Sequence, residues 1–255
     1  MISNFYEKLA KLAVNYSVKV KKGDRILVMG PASAKELFQA VNIEVIKAGG
    51  FPLNIPGIEG MQEILYKYGS EEQIQYVDDI QLKVFKEFNG MINILGDYNT
   101  RKLALVDPKL KALRQASPKN RELMSIYMER WGSGEFPWVI IPYPCNAYAQ
   151  EGNMDLFTYG EFIRDALLLD KEDPVAEWQK IFNKQEEVIA KLYDLKEGEV
   201  HVNGEDTDLK LSVKGRKWEN SSGQVNLPDG EIYTGPVEDS VNGKIRFTYP
   251  GIYNG

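Results

Sequence analysis

The first 195 residues alternate between short apolar runs and stripes of apolar residues at helical spacing. The run Arg25–Met29 lies between Asp24 and Gly30 and is almost wholly apolar, as is typical of a strand buried on both faces. A helical stripe follows up to Gly49–Gly50, and a second strand-like run occupies Phe51–Ile55. Strands that alternate with helices form a parallel sheet with helices on its faces. The pattern predicts an α/β domain over residues 1–195, with a parallel sheet flanked by helices.

The alternation continues through the rest of this domain. Residues 91–95 and 138–141 are two further apolar runs and predict two more strands. Residue pairs at capping-box spacing, or a proline at the first helical position, predict helix starts at Ser33, Ser70, Ser117, Thr158 and Asp173. We expect the helix that starts at Ser70 to extend through Phe88.

After residue 195 the periodicity changes to that of strands with one apolar face. Apolar and polar residues alternate over residues 208–214 and again over residues 244–249, and glycine-containing turns separate the runs. The sequence therefore predicts a second, mainly antiparallel β domain over residues 196–255. No closing element follows its last strand-like run, so we expect this domain to be incomplete and the chain to be truncated within it.

Charge and composition argue against several classes of partner. The chain has 37 acidic and 31 basic side chains and a net charge of -6, which disfavours binding to nucleic acid or to an anionic membrane. No run approaches the roughly 18 apolar residues of a membrane span, and the amphipathic N-terminal stretch is unlike a signal peptide. Cys145 has no second cysteine with which to form a disulfide. We therefore expect a cytoplasmic protein.

A single histidine limits the catalytic chemistry. His201 alone cannot supply a Ser-His-Asp triad or the several imidazoles common in catalytic zinc sites. Cys145 follows the predicted strand at 138–141, a place where sites gather in open α/β sheets. Its only imidazole base would be His201, which falls in the other predicted domain. We interpret Cys145 as a small apolar residue and His201 as a solvated side chain.

Two polar segments carry weak signals. The turn Met29–Ser33 leads from a strand into a helix, where a phosphate can bind, but the chain contains neither GxGxxG nor GxxxxGK[ST]. The acidic run Glu205–Asp208 lacks the longer series of ligands found in calcium-binding loops. We interpret the first as a plain turn and the second as a solvated turn.

The segment Asn226–Thr234 points more clearly to a site. Its Pro-Asp-Gly sequence predicts a turn that places Glu231 at the start of a strand, with Tyr233 on the same face. A carboxylate fixed at such a junction can ligate a divalent cation. By itself, a single glutamate is more often an exposed charge.

Several motifs in a fixed order give the chain a resemblance to a known family. These motifs are YSVKV and GDR between residues 16 and 25, AGGFP at 48–52, DPVAEW at 173–178, GRKW at 215–218 and NLPDGEIYTGPVEDSVNGKIRF at 226–247. Taken together they resemble the metallo-aminopeptidases called aminopeptidase T, aminopeptidase S and PepS. The resemblance extends over most of the chain.

This resemblance implies an enzyme that releases N-terminal residues from peptides with a free amino terminus. It implies two divalent metal ions, such as zinc, cobalt or magnesium, which activate a bridging water and stabilise the oxyanion. Glu231 matches the glutamate of the family segment N-x-P-x-x-E-[VI]-[FY]-T and is implied to be the first metal ligand. The other ligands, several of them histidines, are implied to lie beyond residue 255. We therefore expect the 255 residues alone to be inactive, and the resemblance also implies a homodimer.

Two other functions stay open on the sequence alone. The chain could be a non-catalytic α/β module that dimerises or binds peptides. It could also be a nucleotide-binding α/β protein, which ATP or NAD would stabilise against heat.

Overall fold

The computed structural model describes residues 3–194 and 198–248, which divide into two compact units. The first unit contains the chain up to Glu177 together with Gly223–Pro228. The second contains the rest of the described residues, Trp178–Ser222 and Asp229 onward, apart from the gap at 195–197. The domain boundary predicted between residues 195 and 196 lies outside the described residues and stays a prediction.

Helices and strands alternate along the first unit, as predicted. Their bounds are α1 (Asn4–Leu12), β1 (Arg25–Pro31), α2 (Lys35–Lys47), β2 (Phe51–Gly57), α3 (Met61–Tyr68), α4 (Glu71–Gln75), α5 (Asp79–Glu87), β3 (Gly90–Leu95), α6 (Pro108–Ala116), α7 (Pro118–Gly132), β4 (Trp138–Pro142), α8 (Asn146–Glu151) and α9 (Leu156–Ala166). Helix α1 continues into a π-helical turn, Ala13–Ser17, and helix α10 (Pro174–Tyr193) contains the junction between the units. Among the described residues, no helix is both long enough and apolar enough to cross a membrane.

The four strands of the first unit form a parallel sheet in the order β2-β1-β3-β4. Its centre is buried: Ile26, Leu27 and Val28 of β1 are at most 1% exposed, and Ile92 of β3 and Val139 of β4 are inaccessible. Such strands read as continuous apolar runs because helices cover both faces of the sheet. The predicted α/β architecture is confirmed.

Strand β2 forms one edge of this sheet and carries two prolines. The amide of Phe51 donates to Asp24 O at 2.7 Å, toward β1, so the alternating residues Pro52, Asn54 and Pro56 direct their backbone nitrogens to the free edge. A proline has no N–H to offer a further strand. Two of these three outward positions therefore cannot donate to an added strand, which protects the edge from pairing.

The second unit is built from short antiparallel strands, as predicted. These are β5 (Glu199–Gly204), β6 (Thr207–Ser212), β7 (Glu219–Ser221), β8 (Glu231–Tyr233) and β9 (Asn242–Lys244). One sheet has the order β5-β6-β9, and β7 pairs with β8. The strand predicted over 244–249 is wrong: β9 ends at Lys244, residues 245–248 are not in a strand, and Tyr249 lies outside the described residues.

Three of the predicted helix starts are confirmed. Ser70 and Gln73 form a full capping box, with Gln73 N donating to Ser70 Oγ at 3.3 Å and Ser70 N to Gln73 Oε1 at 2.8 Å. Ser117 caps α7 by accepting from Asn120 N at 3.3 Å. Asp173 accepts from Val175 N at 3.1 Å at the start of α10.

Two of the predicted helix starts and one predicted helix end are wrong. Helix α2 begins after Ala34, so Ser33 does not cap it. Helix α9 is capped by Asp155, and the hydroxyl of Thr158 donates to the Asp155 carboxylate at 2.6 Å, so Thr158 is not the cap. The helix predicted through Phe88 stops at Gln75, because Asp78 accepts from Ile80 N at 2.8 Å and starts a new helix, α5.

Candidate functional site

The segment that precedes the candidate ligand is bonded to the edge of the parallel sheet. Ile140 of β4 donates its amide to Val225 O at 2.8 Å and accepts from Leu227 N at 2.9 Å. Leu227 is only 4% exposed, and the Ser17 hydroxyl donates to Gly223 O. Residues 223–228 are thus held at their first residue by the Ser17 hydroxyl, and toward their last by two backbone bonds to Ile140 and by the burial of Leu227.

Glu231 is the first residue of strand β8, as predicted. Ser221 lies opposite Glu231 in the β7–β8 pair, and its hydroxyl donates to Asp229 Oδ2 at 2.8 Å. The amide of Gly230 lies within hydrogen-bond distance of Ser221 O, at 3.1 Å, and of Asp229 Oδ1, at 2.8 Å. Gly230 has φ +134, a backbone conformation that side chains disfavour. These bonds fix the backbone from which the Glu231 carboxylate projects.

The Glu231 side chain is exposed on the strand, and the alternation of side chains places Tyr233 on the same face. Opposite Tyr233 lies Glu219, which pairs with Lys217 at 2.8 Å. The hydrogen bond to Glu219, together with the carboxylate charge, raises the pKa of Lys217. Glu219 thus has a cationic partner. The Glu231 carboxylate, in contrast, makes no hydrogen bond or ion pair with any described residue.

The described residues do not by themselves fit a site for two metal ions. Within residues 3–194 and 198–248, no three side chains of His, Cys, Asp or Glu come together in a group that could hold a metal. A catalytic divalent ion takes about three protein ligands, and two ions need more. Glu231 supplies one carboxylate, and its role as a ligand stays a prediction.

The other polar residues singled out from the sequence have protein partners. His201 on β5 lies with Nε2 2.7 Å from Asp208 Oδ1 on β6, and both side chains are exposed. Asp206 pairs with Arg246 at the preceding turn. Cys145 is half-buried before α8, and its Sγ accepts from Asp97 N at 3.4 Å.

The Met29–Ser33 turn has backbone bonds where a phosphate would need free amides. Ala32 N donates to Gly57 O at 2.9 Å, and Ala34 N donates to Pro31 O at 3.0 Å. These bonds agree with the interpretation of this segment as a plain connection between β1 and α2.

A second polar region lies at the carboxyl ends of β1, β2 and β3 in the first unit. It is a cleft of about 780 Å³, which we call the switch-point cleft. Its charged side chains are Glu59, Glu63, Asp97, Lys102 and Arg114. The name reflects the topology: from β1 the chain passes to β2 on one side, and then crosses to β3 on the other side of β1. In open α/β sheets, ligands bind where the strand order reverses in this way.

Asp97 organises the charges of this cleft. Its Oδ1 accepts from Tyr98 N at 2.8 Å and Asn99 N at 3.2 Å, and its Oδ2 pairs with Lys102 Nζ at 2.7 Å. Tyr148 also lines the cleft, and burial, with the nearby charges of Asp97 and Cys145, raises its pKa to about 12. Sequence reasoning missed these residues. Asp97 nevertheless follows the predicted strand at 91–95 by two residues, the same signal that drew attention to Cys145.

Comparison with known proteins places the chain in a family. A family model described as thermophilic metalloprotease (M29) matches residues 3–255. The chain belongs to this M29 family. Relatives of this M29 chain include aminopeptidase T of Thermus thermophilus, 23% identical over 96% of the chain and 64% of the relative. Aminopeptidase 2 of Geobacillus stearothermophilus is 22% identical over 98% of the chain and 64% of the relative.

The M29 chain therefore spans less than two thirds of the length of these relatives. A solved structure of AmpT from Thermus thermophilus superposes with a TM-score of 0.78 at 19% identity. It covers 95% of this chain and 64% of the other. At this identity the match shows that the two proteins share a fold.

Proposed function

We propose that this chain is part of a metal-dependent aminopeptidase that releases N-terminal residues from peptides with a free amino terminus. The observation that carries the proposal is the M29 match over residues 3–255. The resemblance of residues 226–234 to a segment of the family supports Glu231 as the residue to test. The relatives described above are named as aminopeptidases. In this proposal Glu231 is one ligand of a pair of divalent ions.

The local structure supports a ligand role for Glu231. Its carboxylate is exposed and, among the described residues, has no protein partner that would compete with a cation. The bonds among Ser221, Asp229 and Gly230 hold the backbone beneath it, so little ordering is needed when an ion binds. Zinc, cobalt or magnesium ions would supply the Lewis acidity for peptide hydrolysis when bound.

We further propose that these 255 residues are inactive by themselves, because one carboxylate cannot hold two ions. The homodimer implied by the resemblance and the cytoplasmic location expected from the composition belong to the same proposal. Light scattering on the purified protein tests the homodimer.

The central experiment changes Glu231 to Gln in the natural polypeptide that contains these residues. Glu231→Gln keeps the size of the side chain and removes its charge, so metal content and hydrolysis of an amino-acid p-nitroanilide should fall together. Elemental analysis and a colorimetric assay measure the two quantities. Glu205→Gln, at an exposed turn position, is the matched control and should change neither. Full activity with full metal content in Glu231→Gln would refute the ligand role.

A second experiment assays the 255 residues alone with added cobalt or zinc. We expect no turnover of the p-nitroanilide, and measurable turnover would overturn the proposed inactivity. If the natural polypeptide also fails to turn over any p-nitroanilide while fully loaded with metal, the non-catalytic module becomes the better description.

A further inference from the structure

The switch-point cleft has the size and position of a small-molecule site. Its volume of about 780 Å³ falls within the roughly 300–1,000 Å³ of typical ligand pockets. Gly30 lines it, and a Cβ at this position would come within 2.6 Å of Ile94 Cβ, so the ends of β1 and β3 approach closely. All of its lining residues belong to the first unit.

One set of groups in the cleft suits a carboxylate. Arg114 reaches the cleft from α6, and its Nη1 donates to Ile74 O at 3.0 Å, which holds the guanidinium in place. The other guanidinium nitrogens have no carboxylate partner among the described residues. Arg114 is also the one positively charged side chain lining the cleft that has no carboxylate partner among the described residues. A planar guanidinium binds a carboxylate with two parallel hydrogen bonds.

A second set of groups suits an ammonium. Glu59 and Glu63 line the same cleft, and Glu63 accepts a hydrogen bond from the Tyr98 hydroxyl. Because Asp97 and Lys102 neutralise each other, these two glutamates outnumber the one remaining cation, Arg114. This balance opposes a phosphate, which carries up to two negative charges.

The cleft also contains uncovered apolar side chains. Large apolar residues with substantial exposure line it, namely Ile55 at 41%, Ile58 at 69%, Met61 at 51% and Leu95 at 44%. Covering such side chains would be favourable by about 25 cal/mol for each Å² of apolar surface removed from water. A ligand with an apolar side chain beside its two charges would match all three sets of groups.

We propose that the switch-point cleft binds the zwitterion of an apolar amino acid or of a short apolar peptide. The carboxylate binds at Arg114, and the ammonium binds at Glu59 and Glu63. Such amino acids are also what an aminopeptidase releases. The cleft argument does not depend on that activity, because none of these residues takes part in the proposed metal site.

The test uses L-leucine as the probe and the metal-free chain carrying Glu231→Gln, so that the proposed metal site cannot contribute. Four glycines line the cleft, and their backbone amides report binding as shifts in a ¹H–¹⁵N NMR spectrum: Gly30, Gly57, Gly60 and Gly96. We expect these amides to shift in a saturable way with ligand at up to about 10 mM, which detects a Kd near 1 mM. Leucinamide, N-acetylleucine and glycine, which lack the carboxylate charge, the ammonium and the apolar side chain respectively, should each bind at least about tenfold more weakly.

Single substitutions test which residue binds the carboxylate of the ligand and which binds its ammonium. Arg114→Gln should weaken leucine at least about tenfold and leave leucinamide unchanged, whereas Arg114→Lys should restore part of the affinity. Glu63→Gln should weaken both leucine and leucinamide and leave N-acetylleucine unchanged. Arg121→Gln and Glu129→Gln, exposed on α7 and outside the cleft, are the matched controls and should bind leucine normally.

Three results would overturn the proposal. The first is no saturable shift of the cleft glycines with leucine. The second is equal affinity for N-acetylleucine or leucinamide, which would make the cleft a site for a single charge. The third is tighter binding of inorganic phosphate than of leucine. Because the probe protein lacks Glu231 and metal, each of these results leaves the proposed aminopeptidase function untouched.

Discussion

The two units bury their strands to different extents. In the first unit, Ile26, Leu27 and Val28 of β1 are at most 1% exposed. In the second unit, no residue of the strands β5 to β9 is fully buried within the described part of the chain, and Val202 is 40% exposed. A parallel sheet covered on both faces forms its own core, whereas these antiparallel strands leave much of their surface open. We therefore expect the first unit to contribute most of the free energy of unfolding of the described residues.

This difference bears on the candidate ligand. Glu231 belongs to the less buried unit, yet residues 223–228, just before it, are part of the first unit and bond to β4. The segment thus combines an anchored start with a strand that has little burial of its own. Regions with few buried contacts open at a lower free energy than the core.

The largest expected effect compares the same substitution in the two units. Leu27→Ala removes a side chain that is 1% exposed and should lower the free energy of unfolding by about 2–5 kcal/mol. Leu209→Ala on β6 removes a half-buried side chain and should cost about 1 kcal/mol or less. Urea unfolding followed by circular dichroism measures both losses.

Native-state hydrogen exchange serves as the control for this pair, because two units can unfold separately. Leu27→Ala should speed exchange of amides in β1 and β3, and Leu209→Ala only in β5 and β6. Equal losses of stability from the two substitutions would contradict the inference that the first unit is the more stable one.

A smaller effect concerns the turn before Glu231. Ser221→Ala removes the hydroxyl that donates to Asp229 Oδ2 at 2.8 Å, and should destabilise the β7–β8 pair by about 1 kcal/mol. Faster amide exchange at Gly230 and Ile232 would show the loss. Ser133→Ala, which removes an exposed hydroxyl bond to Arg130 O in the first unit, is the control and should leave β7–β8 unchanged. Unchanged exchange in Ser221→Ala would show that the turn holds without this bond.

The sequence predicted the sheets better than the ends of the helices, for a physical reason. Buried strands need continuous apolar runs, so Arg25–Met29 and residues 138–141 could be recognised without knowing the rest of the fold. A helix start depends on which of several nearby polar side chains reaches the free amides. At α9 the carboxylate of Asp155 takes the two amides, and Thr158 becomes its hydrogen-bond donor.

One of the two candidate regions could likewise be predicted from the sequence, and the other could not. The strand start at Glu231 follows a local Pro-Asp-Gly sequence and could be predicted. The switch-point cleft gathers Glu63, Asp97 and Arg114 from three separate segments, which only the strand order brings together. The order β2-β1-β3-β4 has no local signature in the sequence, so the cleft could not be predicted from it.

The smallest expected effect tests whether local bonds also fix the helices of the first unit. Hydrogen bonds from the Thr158 hydroxyl and amide lower the pKa of Asp155 below its ordinary value. A carboxyl group whose pKa is lower in the folded state adds stability above its unfolded pKa of about 3.9, and that stability is lost as pH falls through the folded value. The Thr158 amide shift, followed by NMR, should therefore titrate with a midpoint below about 3.9.

The matched variant for this test is Asp155→Asn, which can still accept the amide bonds at the start of α9 but cannot titrate. It should abolish the acid titration at Thr158 and leave the overall unfolding curve unchanged, because the carboxylate is exposed to solvent. Asp165, near the other end of the same helix, pairs with Arg164, and Asp165→Asn should leave the titration at Thr158 in place. The same titration in Asp155→Asn would show that another group titrates. A midpoint at or above the ordinary value would show that solvent rather than the cap governs this carboxylate. Hydrogen bonds at the start of α9 would then stabilise this helix as little as burial stabilises the exposed strands of the second unit.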